Sequence, residues 1–212
     1  MTTSNQLAIV IGFILKGRKM SISSSATLRG ALITRSDALT KIALVVGGTA
    51  FLSLMAQISF PIPGSPVPLT GQTLGVLLIG SAYGASLGFT TFATYLIFGI
   101  LGAPVFAAGA HGFSRISGAT GGYLVGMLFA SLLTGYLAGR KWDQKIKTVI
   151  PTMVLGDLVI FSAGLIWLHH AIHASWAVTF KFGFTPFLLG EVIKIAIAST
   201  AMPTIWRFVP KR

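Results

Sequence analysis

The chain contains no cysteine, and only four of its 212 residues are acidic: Asp37, Asp143, Asp157 and Glu191. The first absence excludes a disulfide framework and any thiolate metal site. The second leaves general acid–base chemistry poorly supplied. Charge of either sign is scarce: 9% of residues are charged and 53% hydrophobic, with a mean hydropathy of +0.82. Soluble domains carry about 25% charged residues. Residues 42–114 hold no Lys, Arg, Asp or Glu at all. At about 20 residues per crossing, such a run accommodates three membrane spans and their turns. The short alternating segments of a membrane β-barrel are absent. The expected fold is an all-α polytopic membrane protein.

Catalytic signatures are missing as well. There is no Gly-x-x-x-x-Gly-Lys-Ser/Thr phosphate loop and no His-Glu-x-x-His helix. Ser114 near His111 sketches a nucleophile and base without completing a set. His169 and His173 are spaced i, i+4, yet no carboxylate or thiolate lies nearby in sequence, so they read as a polar interfacial edge. No enzyme, cofactor or metal is expected. The formal net charge of +12 does not indicate nucleic acid, because the basic residues flank apolar spans. There they act as orientation signals and lipid headgroup partners in a bilayer.

What is present divides into a leader and six apolar spans. Residues 1–40 form a basic N-terminal leader, expected to be peripheral or disordered, before a six-helix domain over 41–212. Leu7–Leu15 is too short to cross a bilayer, and its positive charges follow the apolar core, the reverse of a secretory signal. It fits an interfacial segment, a peripheral first helix, or a reading frame whose start is Met20. The Ser/Thr-rich piece Met20–Arg35 reads as exposed.

Span 1 covers about Ile42–Phe60, with Ala43, Gly47 and Ala50 offering a small-residue face to a partner. The cluster Pro61–Pro68 cannot continue a helix and makes a loop. Span 2 is short, about Gly71–Ala82, and opens on the polar trio Thr70, Gln72 and Thr73. Span 3 covers Ala85–Leu101, span 4 Tyr123–Ala138, span 5 Thr148–His169 and span 6 Pro186–Phe208. The glycine-rich connection 102–122 reads as a close-packed, partly re-entrant loop.

The basic residues orient these spans. Six precede span 1 (Lys16, Arg18, Lys19, Arg29, Arg35, Lys41) and four lie between spans 4 and 5 (Arg140, Lys141, Lys145, Lys147). Three more end the chain (Arg207, Lys211, Arg212), whereas the opposite side holds only Arg115 and Lys181. The positive-inside rule then sets both termini in the cytoplasm. The loops between spans 1–2 and 3–4 face outward, where they can lid a substrate pocket.

Two ionisable residues stand inside span 6. Glu191 and Lys194, at i and i+3, share one helical face and can neutralise each other. An ionisable group in hydrocarbon costs about 2.5–3.5 kcal/mol on insertion scales, so it faces a cavity or a partner. The bland reading is an ion pair that only orders the bundle. The functional one is a polar floor for a small polar ligand, and it is favoured by the short, Pro/Gly-interrupted segments nearby. Asp157, alone in span 5, must be hydrogen-bonded, paired or protonated. It reads equally as a helix-packing contact or a site residue.

Three blocks in order resemble the BioY family, the biotin-specific substrate-capture (S) components of energy-coupling-factor vitamin transporters. They are Pro68–Leu78, then Gly99–Ala107 continuing through Gly118–Leu124, and Pro186–Lys194. With Gly156–Trp167, the resemblance extends over roughly residues 40–205. It departs from the family pattern at Glu191 (usually aspartate), Ala119 (usually proline) and Asp157 (usually asparagine). The resemblance implies biotin capture on the outer face of the cell membrane. Translocation would depend on a transmembrane coupling subunit and a pair of ATPases. It further implies that Glu191 accepts from the ureido N–H groups and that Lys194 binds the ureido carbonyl or the carboxylate tail. Gln72, Thr70 and Thr73 would add hydrogen bonds. Gly109, Gly121 and Gly122, with Phe106 and Tyr123, would close over the ring. A carrier for another small vitamin-like acid, or a structural membrane protein, are the competing readings.

Overall fold

The computed structural model describes residues 27–33 and 37–209. The segment Leu7–Leu15 and the start at Met20 lie outside the described residues. Nine helices are described: α1 Leu28–Leu32, α2 Ala38–Gln57, α3 Gln72–Tyr83, α4 Ala85–Ile100 and α5 Ser114–Ser117, followed by α6 Gly121–Ala138, α7 Ile146–Ala171, α8 Trp176–Gly183 and α9 Leu188–Arg207. Two-residue strands β1 (Ser59–Phe60) and β2 (Leu69–Thr70) pair antiparallel and close the base of the proline loop.

Four stretches are long and apolar enough to cross a membrane: α2, α6, α7 and the run Trp176–Arg207. That last run is broken by a 3-10 turn at Thr185–Phe187, with Pro186 near its start, into α8 and α9. The apolar helices α3 and α4 have 12 and 16 residues. At about 1.5 Å per residue they are shorter than a hydrocarbon core of about 30 Å. The sequence expectation placed α2, α3, α4, α6, α7 and α9 to within about four residues at each end, whereas α8 lies in what was expected to be the connection between spans 5 and 6. Helix α2 begins earlier than expected for span 1, at Ala38, because Asp37 caps it by accepting from the Thr40 N–H at 3.2 Å. Hydrogen bonding to Thr40, to its side chain first and to this backbone N–H second, holds the Asp37 carboxyl below its ordinary pKa.

Helix α6 is the axis of the bundle. It packs on α3, α4 and, most extensively, α7. Its inward face is made of small residues, among them Gly122, Gly126, Ala130, Ser131 and Thr134. Close approach is obligatory there. A Cβ on Gly126 would stand 2.8 Å from Cα of Ile160, and one on Gly80 would stand 2.6 Å from the Ser131 carbonyl oxygen. Membrane helices have little hydrophobic force between them, so backbone-to-backbone packing of this kind holds them together. Helix α2 is the opposite case. Only 17% of its apolar stretch is buried, against 67% for α6, and a Cβ on Gly47 would meet nothing within 4 Å.

The supposedly exposed leader needs correcting at its end. Thr27 and Leu28 are buried, and α1 packs against α3. Gly84, with φ +84°, makes the tight α3–α4 turn, and the Thr27 methyl fills the notch that its missing side chain leaves. A second unforeseen contact joins the α6–α7 loop to the last helix. Asp143 is fully buried, and its Oδ2 accepts from Nε1 of Trp206 at 2.6 Å. Burial pushes this carboxyl up to about 6, against the opposing effect of the Trp206 bond.

Two outcomes follow from this packing. Gly126→Val is expected to lower the melting temperature of the detergent-purified protein by several degrees, since overpacking costs about 1–3 kcal/mol. Gly47→Ala should leave it unchanged or slightly raised, as measured by thermal unfolding. The folded state holds the Asp143 proton more tightly than the unfolded chain does, so this residue's contribution to stability falls as pH rises from its ordinary value to about 6. Asp143→Asn should remove that part of the slope, seen as a wild-type–variant difference in melting temperature that grows between pH 4 and pH 6.5 and is flat above.

Candidate functional site

A cavity of about 350 Å³ lies among the proline loop, the start of α3, the 106–115 connection, α6, α7 and the start of α9. Most of its wall is apolar. Tyr123 of α6 stands edge-on to Phe161 of α7, with ring centroids 6.0 Å apart, and Phe161 stands edge-on to Phe187 at 6.0 Å. The Tyr123 hydroxyl is held away from the rings by donating to the Gly183 carbonyl at 2.7 Å.

The polar part of the lining is concentrated on α3 and α9. Lys194 Nζ lies 2.7 Å from Glu191 Oε1 and donates to Thr73 Oγ1 at 2.8 Å. The Thr73 hydroxyl in turn donates to Glu191 Oε2 at 3.0 Å. Three side chains from two helices thus close a ring, with the Lys194 and Glu191 side chains only 13% and 8% exposed. One ring of this kind satisfies most of the buried charge but not all of it. The ammonium has three N–H donors and uses two, and the carboxylate keeps lone pairs open. The arrangement can therefore offer a ligand one donor and at least one acceptor side by side.

Gln72 lines the cavity next to this ring, but its amide is already engaged. Nε2 donates to the Tyr95 hydroxyl at 2.7 Å, and Oε1 accepts from Thr70 Oγ1 at 3.3 Å. Tyr95 passes the chain on by donating to the Val105 carbonyl at 3.0 Å, and its ring packs on Phe106 at 5.5 Å. Gln72 therefore fixes the wall formed by Phe106, Ala107 and Ala108. The same wall is held from its other side by Gln57 at the end of α2. Its Nε2 donates to the Phe106 carbonyl at 3.2 Å, and its Oε1 accepts from the Gly109 N–H at 2.9 Å. Between those two bonds Ala108 takes a left-handed conformation, φ 56°. Gln57 was not anticipated. A single polar residue at a helix end carries no sequence signal for a partner 49 or 52 residues away.

Of the residues expected at the site, Thr70, Gln72, Thr73, Phe106, Tyr123, Glu191 and Lys194 come together in the lining. Four do not line it. Gly109 has its N–H committed to Gln57. Gly122 seats α6 on α7, where a Cβ would stand 2.5 Å from the Ala163 carbonyl, and Gly121 leaves room for the Ile116 carbonyl of α5. Asp157 is 7% exposed, and neither of its carboxyl oxygens has a hydrogen-bond partner among the described residues. Arg115 lines the cavity although it was read only as an orientation charge. Among the described residues no three His, Asp or Glu side chains gather for a metal. His169 instead stacks flat on Trp176, with ring centroids 4.1 Å apart.

Comparison with known proteins accounts for nearly the whole chain. The BioY family model matches residues 22–211. The biotin transporter BioY2 of Lactococcus lactis subsp. cremoris is 33% identical over 169 residues, 78% of this chain and 88% of that protein. The probable biotin transporter BioY of Pyrococcus horikoshii is 37% identical over 158 residues, 74% of this chain and 91% of that one. In structure, the chain resembles the crystallised S-component for biotin from an ECF-type ABC transporter, with a TM-score of 0.72 and 22% identity over 82% of this chain and 95% of that one. That likeness establishes a shared fold. By sequence over almost its entire length, this chain is a multi-pass membrane protein of the BioY family.

Proposed function

We propose that this protein captures biotin for uptake, as the substrate-binding subunit of an energy-coupling-factor transporter in the cell membrane. The observation that carries the reading is the ring of Thr73, Glu191 and Lys194 set into an otherwise aromatic cavity of about 350 Å³. Biotin is a matching solute. Its ureido N–H groups donate to Glu191, its ureido oxygen accepts from the spare Lys194 N–H, and its thioether ring lies against Tyr123, Phe161 and Phe187. In this reading Thr70 and Thr73 complete the polar floor. Gln72 and Gln57 hold the wall, and Gly109, Gly121, Gly122 and Asp157 belong to the frame around the ligand.

The topology goes with it. Six helices, α2, α3, α4, α6, α7 and α9, cross the membrane with both termini in the cytoplasm. The cavity opens outward beneath the proline loop and the 102–120 connection. Helix α2, with Ala43 and Gly47 on its little-buried surface, faces the transmembrane coupling subunit, and a pair of cytoplasmic ATPases supplies the energy. The poor burial of α2 supports this placement.

Isothermal titration of the purified protein with biotin tests the substrate. One-to-one binding is expected, weakened roughly ten- to a hundredfold in Glu191→Gln, because hydrogen bonds to charged groups are worth about 1.5–3 kcal/mol. Binding of a different vitamin in place of biotin would keep the fold and overturn the substrate. Gln57→Ala is expected to raise the biotin dissociation rate several-fold with little change in melting temperature, measured by ligand-chase kinetics alongside thermal unfolding.

A further inference from the structure

Resting on the biotin reading, we propose that Arg115 is a specificity-determining residue that recognises the ligand's carboxylate tail. The floor is poorly suited to that task. The Lys194 charge is matched by Glu191 at 2.7 Å, and its second donor is spent on Thr73. A carboxylate brought to this ring would meet the Glu191 charge as well as the ammonium, so the floor attracts a neutral polar head and not an anion. Among the residues that line the cavity, Arg115 carries the only other formal charge.

Its situation suits an incoming anion. Arg115 is exposed whereas Glu191 is buried, which sets the guanidinium at the rim and the ion pair in the interior. The guanidinium has no hydrogen bond or ion pair with another described residue. Its backbone, in contrast, is held on both sides. The N–H donates to the Gly112 carbonyl at 3.3 Å, and the carbonyl accepts from Thr120 Oγ1 at 3.0 Å. A fixed backbone carrying an uncommitted planar fork is a good base for bidentate carboxylate binding. Biotin's four-methylene chain leads from the thioether ring, which is fused to the ureido ring, to its carboxylate, so one molecule engages floor and rim together. The ligand class selected is a neutral hydrogen-bonding head joined to an anionic tail.

The test compares biotin with biotinamide, in which the carboxylate becomes a neutral carboxamide, on the full-length wild type, Arg115→Gln and Arg115→Lys. The wild type should prefer biotin about tenfold, and the preference should shrink at high salt, as an exposed charge pair requires. Arg115→Gln should bind both ligands alike, at the affinity the wild type shows for the amide. Arg115→Lys should keep part of the preference. Full retention of the preference in Arg115→Gln would overturn the proposal, and so would an equal loss of both ligands, which marks a structural role. If the wild type bound neither compound, the biotin reading itself would fall, whereas equal tight binding of both by the wild type would overturn only the role of Arg115.

Discussion

A pair of opposite charges that must live inside a membrane constrains the rest of the molecule. Glu191 and Lys194 cannot both be left to hydrocarbon, and their mutual contact does not satisfy every donor and acceptor. Thr73 supplies the third member of the ring from α3, so α3 has to begin beside the first turns of α9. That requirement fits an unusual stretch of chain. Helix α2 stops at Gln57, the β1–β2 ladder reverses the backbone, and Gly71 and Gln72 start a new helix of only 12 residues. The proline loop between the strands is then held over α8, where Ser65 Oγ donates to the Phe182 carbonyl at 2.8 Å. A short third helix and a stiff loop are thus what it takes to bring one hydroxyl to one ion pair.

Much of the fold was legible because the membrane makes sequence simple. Long uncharged runs with proline and glycine breaks located six apolar helices, and of the eleven site residues named from the charges on α9 and from the family resemblance, seven line the cavity. The misreadings share a cause. Helix α8 was treated as part of a connection because its eight residues are too few to span and lack a charge boundary. Thr27 and Leu28 were read as exposed because polar neighbours surround them in sequence, while the notch at Gly84 that buries them is a property of the folded turn. Gln57 and Asp143 act through partners distant in sequence, and Arg115 reaches the cavity lining from a glycine-rich connection that sets no regular face. Periodicity reports which face of a helix is apolar. It carries no information on which distant group an isolated amide or carboxyl will reach.

The glycines of the 109–122 segment show how one signal served two purposes. Their density suggested a close-packed, partly re-entrant loop, and the family resemblance implied backbone folded over a ligand. Instead, Gly121 leaves room for the Ile116 carbonyl, Gly122 allows α6 to lie against α7, and Trp167 Nε1 donates across that seam to the Gly118 carbonyl at 2.9 Å. The cavity wall comes from the preceding turn, Phe106–Ala108, which Gln57 and Tyr95 grip from opposite sides. Close packing and ligand enclosure call for the same residue type, so composition could not separate them.

Confining helix contact to glycine and backbone also has an evolutionary consequence. Where glycine meets backbone along the α3–α6 and α6–α7 seams, at Gly80 and Gly126, no larger residue fits without moving a helix, so these positions have little freedom to drift. The rim of the cavity, where Arg115 stands, is lined by exposed side chains that no helix seam depends on. Scaffold and recognition are therefore separately inherited. A structure related at 22% identity retains the architecture at a TM-score of 0.72, as backbone-to-backbone seams permit when the side chains around them change.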